Sequence, residues 1–242
     1  CIPRNLMLHC ALRRRMPFAQ RPPGCTSPWW PALTRQGVLL VVSGPSGVGK
    51  GTIIRGLMSR HPDLRKSVSC TTRGPRPGER PGTDYHFVSM DEFSRKRDAG
   101  ELLEWAVVHQ DLCYGTPRGP VEDALRSGQD IVLEIDYQGA RSVRNALGSR
   151  AVLVFVAPPS WRELHARLVG RETEAPEDVL KRLRTARREF SHMDLFQYGL
   201  VNERVEQAVA DLEAILLAER QRLGRANWQS LQAEVLAEAD ER

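Results

Sequence analysis

An α/β fold with a doubly wound parallel sheet is what this 242-residue sequence predicts, and three observations carry the prediction. Val38–Val42 and Val152–Val156 are continuous apolar runs, and Ile131–Ile135 is a run broken only by Glu134, the mark of strands covered on both faces. Helical patterns of about ten residues separate them, as βαβ units with right-handed crossovers require. A glycine-rich segment follows the first run directly and leads straight into a helical pattern.

Taken in chain order, the first 36 residues stand apart. They hold Arg4, Arg13, Arg14, Arg15, Arg21 and Arg35 and no acidic residue, while Pro3, Pro17, Pro22, Pro23, Pro28 and Pro31 interrupt any helix. We expect a disordered or artefactual leader there, with Met16 a candidate start and Cys1, Cys10 and Cys25 without structural role. Scarce serine and the prolines argue against a transit peptide. Without these arginines 29 basic side chains face 30 acidic ones, so the net charge of +5 belongs to the leader. The body offers no polyanion-binding face, and nucleic acid is not an expected partner. No apolar run approaches the roughly 20 residues that span a bilayer. Five irregularly spaced cysteines form no CxxC pair and no Cys/His ligand set. Neither a membrane nor a structural zinc is expected, and the chain reads as cytoplasmic.

From residue 37 to 222 one domain is expected, followed by a helical tail over 223–242. Helical patterns fall at Thr52–Ser59, Met90–Gly100, Val121–Ser127, Gly139–Leu147, Ser160–Gly170, Glu177–Phe190 and Val205–Arg222. Two stretches exceed a plain alternation, at about 69–118 and about 167–185, and read as insertions.

The glycine-rich segment is Gly44-Pro45-Ser46-Gly47-Val48-Gly49-Lys50-Gly51-Thr52. Its glycines let the backbone curl so that successive amides point at one phosphate, and the following helix adds its positive end. Lys50 brings a charge within reach of the β and γ phosphates. This is the phosphate loop of the P-loop NTPases, set in the strand–loop–helix context it needs. Gly51 stands where a serine or threonine usually meets magnesium, and the hydroxyl comes one residue later, at Thr52. The ion is therefore expected to be held mainly by nucleotide phosphates and water.

Ser69-Cys70-Thr71-Thr72-Arg73-Gly74-Pro75-Arg76-Pro77-Gly78-Glu79, followed by Asp84-Tyr85-His86-Phe87-Val88, resembles the guanylate kinase family. The resemblance continues through Glu104-Trp105-Ala106, Tyr114-Gly115-Thr116, Leu133 to Gly139, Ala157-Pro158-Pro159-Ser160, Arg167 to Arg171, Lys181-Arg182-Leu183 and Val201-Asn202. It covers about residues 38–222 and points to the bacterial branch. It implies a P-loop fold with a GMP-binding insertion and a lid, and transfer of the γ-phosphoryl of Mg·ATP to GMP. By the same resemblance Arg73, Arg76, Tyr85 and Tyr114 hold the GMP phosphate, and Glu79, Ser69 and Asp136 lie among the GMP contacts. Arg167, Arg171 and Arg182 come from the lid, Asn202 lies near adenine, and Glu134 keeps a carboxylate where magnesium and its waters would be. Whether dGMP is also accepted is left open.

The residue chemistry agrees. Arg73 and Arg76 flank Gly74-Pro75, a turn that can aim two guanidinium forks at one anion, with a hydroxyl from Tyr85. Guanine offers N1–H and its 2-amino group side by side, and the Glu104 carboxylate accepts both, while the Thr116 hydroxyl is placed to donate to O6. Adenine would set an acceptor against that carboxylate, a mismatch worth about 10⁴-fold. Between Glu104 and Tyr114 the chain is one residue longer than the common family spacing, and His109 and Cys113 are read as structural. Two other readings compete. A phosphopeptide-binding scaffold domain would have lost loop or lid residues, and a kinase for another nucleoside monophosphate would lack the Glu104–Thr116 pair. For each lid arginine, a solvated helix face paired with Glu163, Glu172, Glu177 or Asp178 is the plain alternative.

Overall fold

In the computed structural model the described residues are 35–108, 112–169, 176–229, 232–233 and 236. Arg171, Gly170, His109, Cys1, Cys10, Cys25 and Met16 lie outside them.

Strand β1, Leu39–Ser43, is buried throughout, and its side chains alternate between two cores. Val38, Leu40 and Val42 face helices α1 (Lys50–Arg60) and α7 (Val205–Arg220) through Ile53, Ile54, Leu57, Val209, Leu212 and Leu216. Leu39 and Val41 face α3 (Arg118–Arg126) and α4 (Tyr137–Leu147) through Val121, Leu125, Ala140, Val143 and Leu147. A strand sandwiched this way has no polar face to show, which is why the sequence reads as an unbroken apolar run.

Among the described residues the main sheet has five parallel strands. Their order is β2 (Arg65–Lys66), β7 (Ile131–Glu134), β1, β8 (Ala151–Ala157) and β9 (Tyr198–Val201). With β1 central and helices on both faces, this is the doubly wound sheet expected. A second sheet is formed by the first insertion. Its order is β4 (Tyr85–Phe87), β3 (Ser69–Thr71), β6 (Leu112–Pro117) and β5 (Leu102–Val108), and α2 (Met90–Asp98) packs Phe93 into a small core with Cys70, Leu102 and Cys113. The pairs β3–β6 and β5–β6 are antiparallel and β3–β4 is parallel. Helix α5 (Trp161–Val169) and helix α6 (Pro176–Phe190) share a further core of Leu164, Leu168, Val179 and Ala186.

The leader expectation needs a correction at its C-terminal edge. Arg35 bridges to Ala226, Gln36 N–H donates to the Arg225 carbonyl at 2.7 Å, and Arg35 pairs with Asp130 at 2.6 Å. Asp130 has no exposed side-chain surface and also accepts from Val38 N–H at 2.7 Å and from Arg220 Nε at 2.7 Å. Burial would push its carboxyl up, but Arg35, the Val38 amide and Arg220 together hold it below the usual range. Arg225 is likewise buried on Glu219 at 3.1 Å, so residues expected in the leader and in the tail pack on the domain. No described helix is long and apolar enough to cross a membrane.

Candidate active site

The phosphate loop leaves β1 at the carboxyl edge of the sheet. Gly49 caps α1 with a left-handed backbone (φ 96°, ψ 19°), and a Cβ there would stand 2.5 Å from Asn202 Nδ2. Only glycine suits both conditions. That amide of Asn202 donates to the Val48 carbonyl at 2.7 Å, and Asn202 is 3% exposed. Asn202, expected near adenine, is therefore a brace behind the loop in this structure. Lys50 Nζ folds back over the loop, donating to the Gly44 and Pro45 carbonyls at 2.5 and 3.2 Å. The α1 pattern begins at Lys50 rather than Thr52, because the cap is Gly49.

In front of the loop lies a cleft of about 510 Å³. Gly44, Ser46 and Lys50 form one wall and Ser69, Asp84 and Tyr85 of the insertion another, with Glu134 and Asp136 at its floor. Asp136 caps α4, accepting from Gly139 N–H at 2.8 Å. The insertion brings its anion-binding candidates together. Arg73 lies 5.3 Å from the Tyr85 ring centre and donates to Tyr114 Oη at 3.2 Å, while the Tyr85 and Tyr114 rings meet edge to face at 6.0 Å. Register on β6 decides this grouping: Thr71 pairs with Tyr114, and Cys113 turns into the insertion's core.

The fork of Arg73 is engaged by Glu79 at 2.8 and 2.9 Å. Those hydrogen bonds hold the Glu79 carboxyl down at about 2 and keep Arg73 firmly protonated. Glu79, expected among the GMP contacts, is thus the partner of the arginine. A carboxylate only accepts hydrogen bonds, so it has nothing to offer a phosphate dianion. Arg76 is exposed, and its backbone N–H donates to Glu79 at 2.8 Å.

Glu104 of β5 is 6% exposed and accepts from Thr116 Oγ at 2.6 Å across the β5–β6 pair. Burial pushes its carboxyl up to about 7, with the hydroxyl of Thr116 holding it back and the negative charge of Asp136 adding to the rise. The single O–H of Thr116, expected to donate to guanine O6, is committed to Glu104 here.

Of the lid arginines, Arg167 pairs with Glu163 one turn away at 3.0 Å and donates to the Asn202 carbonyl at 3.1 Å. Arg182 reaches Ser46 Oγ of the loop at 3.5 Å. Three lining residues, Glu189, Lys66 and Ser67, escaped the sequence reading altogether. Glu189, in the last turn of α6, is 6% exposed, lines the cleft, and its Oε2 has no hydrogen-bond partner among the described residues. Lys66 and Ser67 line it too, Lys66 pairing with Glu134 at 2.9 Å.

As a metal site the donor set is sparse. Among the described residues no three His, Cys, Asp or Glu side chains converge. Thr52 is exposed and Glu134 stands beside Gly51, which fits an ion carried in on nucleotide phosphates and water rather than caged by the protein.

A guanylate kinase family model matches residues 36–219, covering the glycine-rich loop, the insertion and helices α5 and α6. The chain belongs to the guanylate kinase family. It is 52% identical over 186 residues to the guanylate kinase of Corynebacterium diphtheriae, covering 76% of this chain and 96% of that one. To that of Cutibacterium acnes it is 51% identical over 176 residues, covering 73% and 88%. The crystal structure of guanylate kinase from Anaplasma phagocytophilum superposes with a TM-score of 0.67 at 35% identity, covering 81% of this chain and 92% of that chain.

Proposed function

We propose that the protein transfers the γ-phosphoryl of Mg·ATP to GMP, giving ADP and GDP. The observation that carries this reading is the single cleft with the phosphate loop on one wall and the insertion's Ser69 and Tyr85 on the other. Two anion sites facing one another across a shared space suit an in-line transfer between two phosphates. A cytoplasmic setting follows from those substrates.

Phosphoryl transfer needs little covalent help; position and charge decide the rate. Lys50 and the loop amides hold the β and γ phosphates. The Arg73–Tyr85–Tyr114 group, with Arg76, holds the GMP phosphate in line, Arg73 exchanging Glu79 for phosphate oxygens. Arg167 and Arg182 stand over the loop from α5 and α6 and balance charge on the travelling group; Arg171 is assigned the same task. Magnesium, when it enters with ATP, would supply charge neutralisation to the phosphates, and Glu134 and Thr52 are the side chains that would help hold it. Glu104, once ionised, accepts from N1–H and the 2-amino group of guanine, with Asp136 and Ser69 beside the nucleoside. Asn202 serves the ATP side by bracing Val48. No general base is needed, because the GMP phosphate is already anionic.

The test is coupled ADP release from Mg·ATP with GMP, AMP, UMP and CMP offered separately. Release with GMP alone, matched by GDP formation, is expected. A folded protein that releases ADP with none of the four would overturn the reading in favour of a binding module.

A further inference from the structure

Glu189 is a carboxyl group that a stable fold has little reason to bury. It is 6% exposed, and its Oε2 lacks a partner among the described residues. An unsatisfied buried polar atom destabilises a fold, the more so when it is charged. It sits one residue before the end of α6, where the negative end of the helix opposes a further negative charge. Its surroundings are those of the reaction, since it lines the same cleft as Ser46 and Lys50. Helix α6 already touches the phosphate loop through Arg182 and Ser46.

We propose that Glu189 works as an uncharged carboxylic acid, donating a hydrogen bond from its protonated oxygen to phosphate oxygens held in the cleft. The proposal rests on the phosphotransfer reading above. An ionised carboxylate at this place would face two polyanionic substrates and repel them. The acid form turns the same side chain into a donor, which is how a low-dielectric site recruits a carboxyl beside an anion. The groups facing the cleft with it are Lys50 from the loop, Asp136 and Glu134 from the floor, Lys66 from β2, and Asp84 and Tyr85 from the insertion. Burial pushes its carboxyl up to about 7; Lys50 opposes the rise and Asp136 adds to it. Bound phosphates act in the same direction as Asp136, so the acid form gains further when substrates arrive.

The experiment is a carbon-13 titration of the full chain, labelled at the glutamate side-chain carboxyl carbon, between pH 5 and 9. Loss of one signal in Glu104→Gln and of the other in Glu189→Gln assigns the two carboxyls held near neutrality, and nucleotides are added to the wild-type chain, whose guanine site is intact. The Glu189 resonance is expected to titrate close to pH 7 and to move to higher pH when ADP and GMP are added. Kinetically, Glu189→Gln should abolish the alkaline fall of kcat and keep at least tenfold more kcat than Glu189→Ala, since an amide still donates. A resonance titrating below about pH 5 overturns the proposal, as does one shifting downward with nucleotides. So does a Gln variant as slow as Ala. Should wild-type protein show no GMP-dependent ADP release, the kinase reading fails instead, and the titration still reports on Glu189.

Discussion

A Cβ placed on Gly139 would stand 2.8 Å from Glu104 Oε2. Helix α4 thus presses its backbone directly onto the one carboxylate that the insertion buries, and the fit depends on a missing methyl group. Gly139→Ala must push Glu104 aside, because the neighbouring Ile135 side chain closes the other way out at 3.2 Å. Misplacement of a positioning group by about 1 Å costs on the order of 10²-fold. We expect kcat/KM for GMP to fall by about that factor, with the KM for ATP much less affected. Steady-state kinetics with each substrate varied checks this; equal damage to both would mean a general loosening of α4.

Glu104 also predicts a pH dependence with a definite sign. Its carboxyl is raised to about 7, so between the ordinary value of 4.5 and 7 the folded protein holds a proton that the unfolded chain has released. Stability therefore declines as pH rises through that window. Guanine needs the ionised form, so the KM for GMP should improve as pH rises toward 7 and level off above it. Glu104→Gln should flatten the KM profile and remove the Glu104 share of the stability decline, leaving the share that Glu189 contributes over the same window. Thr116→Val removes the hydroxyl that holds the carboxyl down and should move the KM profile to higher pH. Thermal unfolding and GMP saturation curves at pH 5, 6, 7 and 8 are the measurements.

Asn202→Ala tests the brace behind the loop. The substitution leaves the Val48 carbonyl without its buried donor, a loss of about 1–3 kcal/mol. The expected outcome is a lower unfolding temperature together with a KM for ATP raised about tenfold. A variant with normal stability and a selective ATP defect would favour direct contact with adenine.

Asp130 carries a stability prediction remote from the cleft. Its side chain is fully buried and binds Arg35, Arg220 and the Val38 amide at once. Removing it takes the carboxylate partner from Arg35 and leaves Arg220 with Asp63 alone, and breaking a buried ion pair in this way costs about 3–5 kcal/mol. Asp130→Ala should lower the urea midpoint accordingly while leaving the slope unchanged. A shift under about 1 kcal/mol would mean that water replaces the carboxylate readily.

Much of the frame is legible in the residues. The runs around Leu40, Val132 and Val154 had to be strands covered on both sides, and the glycines from Gly44 to Gly49 had to make a tight turn into a helix. The strands of the second sheet were not legible as elements. Three residues such as Ser69–Thr71 or Tyr85–Phe87 carry no periodicity, and their pairing is a long-range event. Glu189 was hidden in an arginine-rich stretch that reads as solvated. Its signal was helical phase: Val179, Leu183, Ala186 and Phe190 mark the inward stripe, and 189 falls beside it.

Local spacing settled the order of the main-sheet elements and the glycine-rich turn between β1 and α1, because these depend on neighbours a few positions away. Packing settled how those residues are charged and to whom they are bound. Arg35 looked like part of a solvated basic leader until Asp130, 95 residues on, received it. Glu104 and Glu189 are written like any other glutamate. Whether each holds a proton depends on water excluded by several elements at once, and that is summed only when the chain has folded.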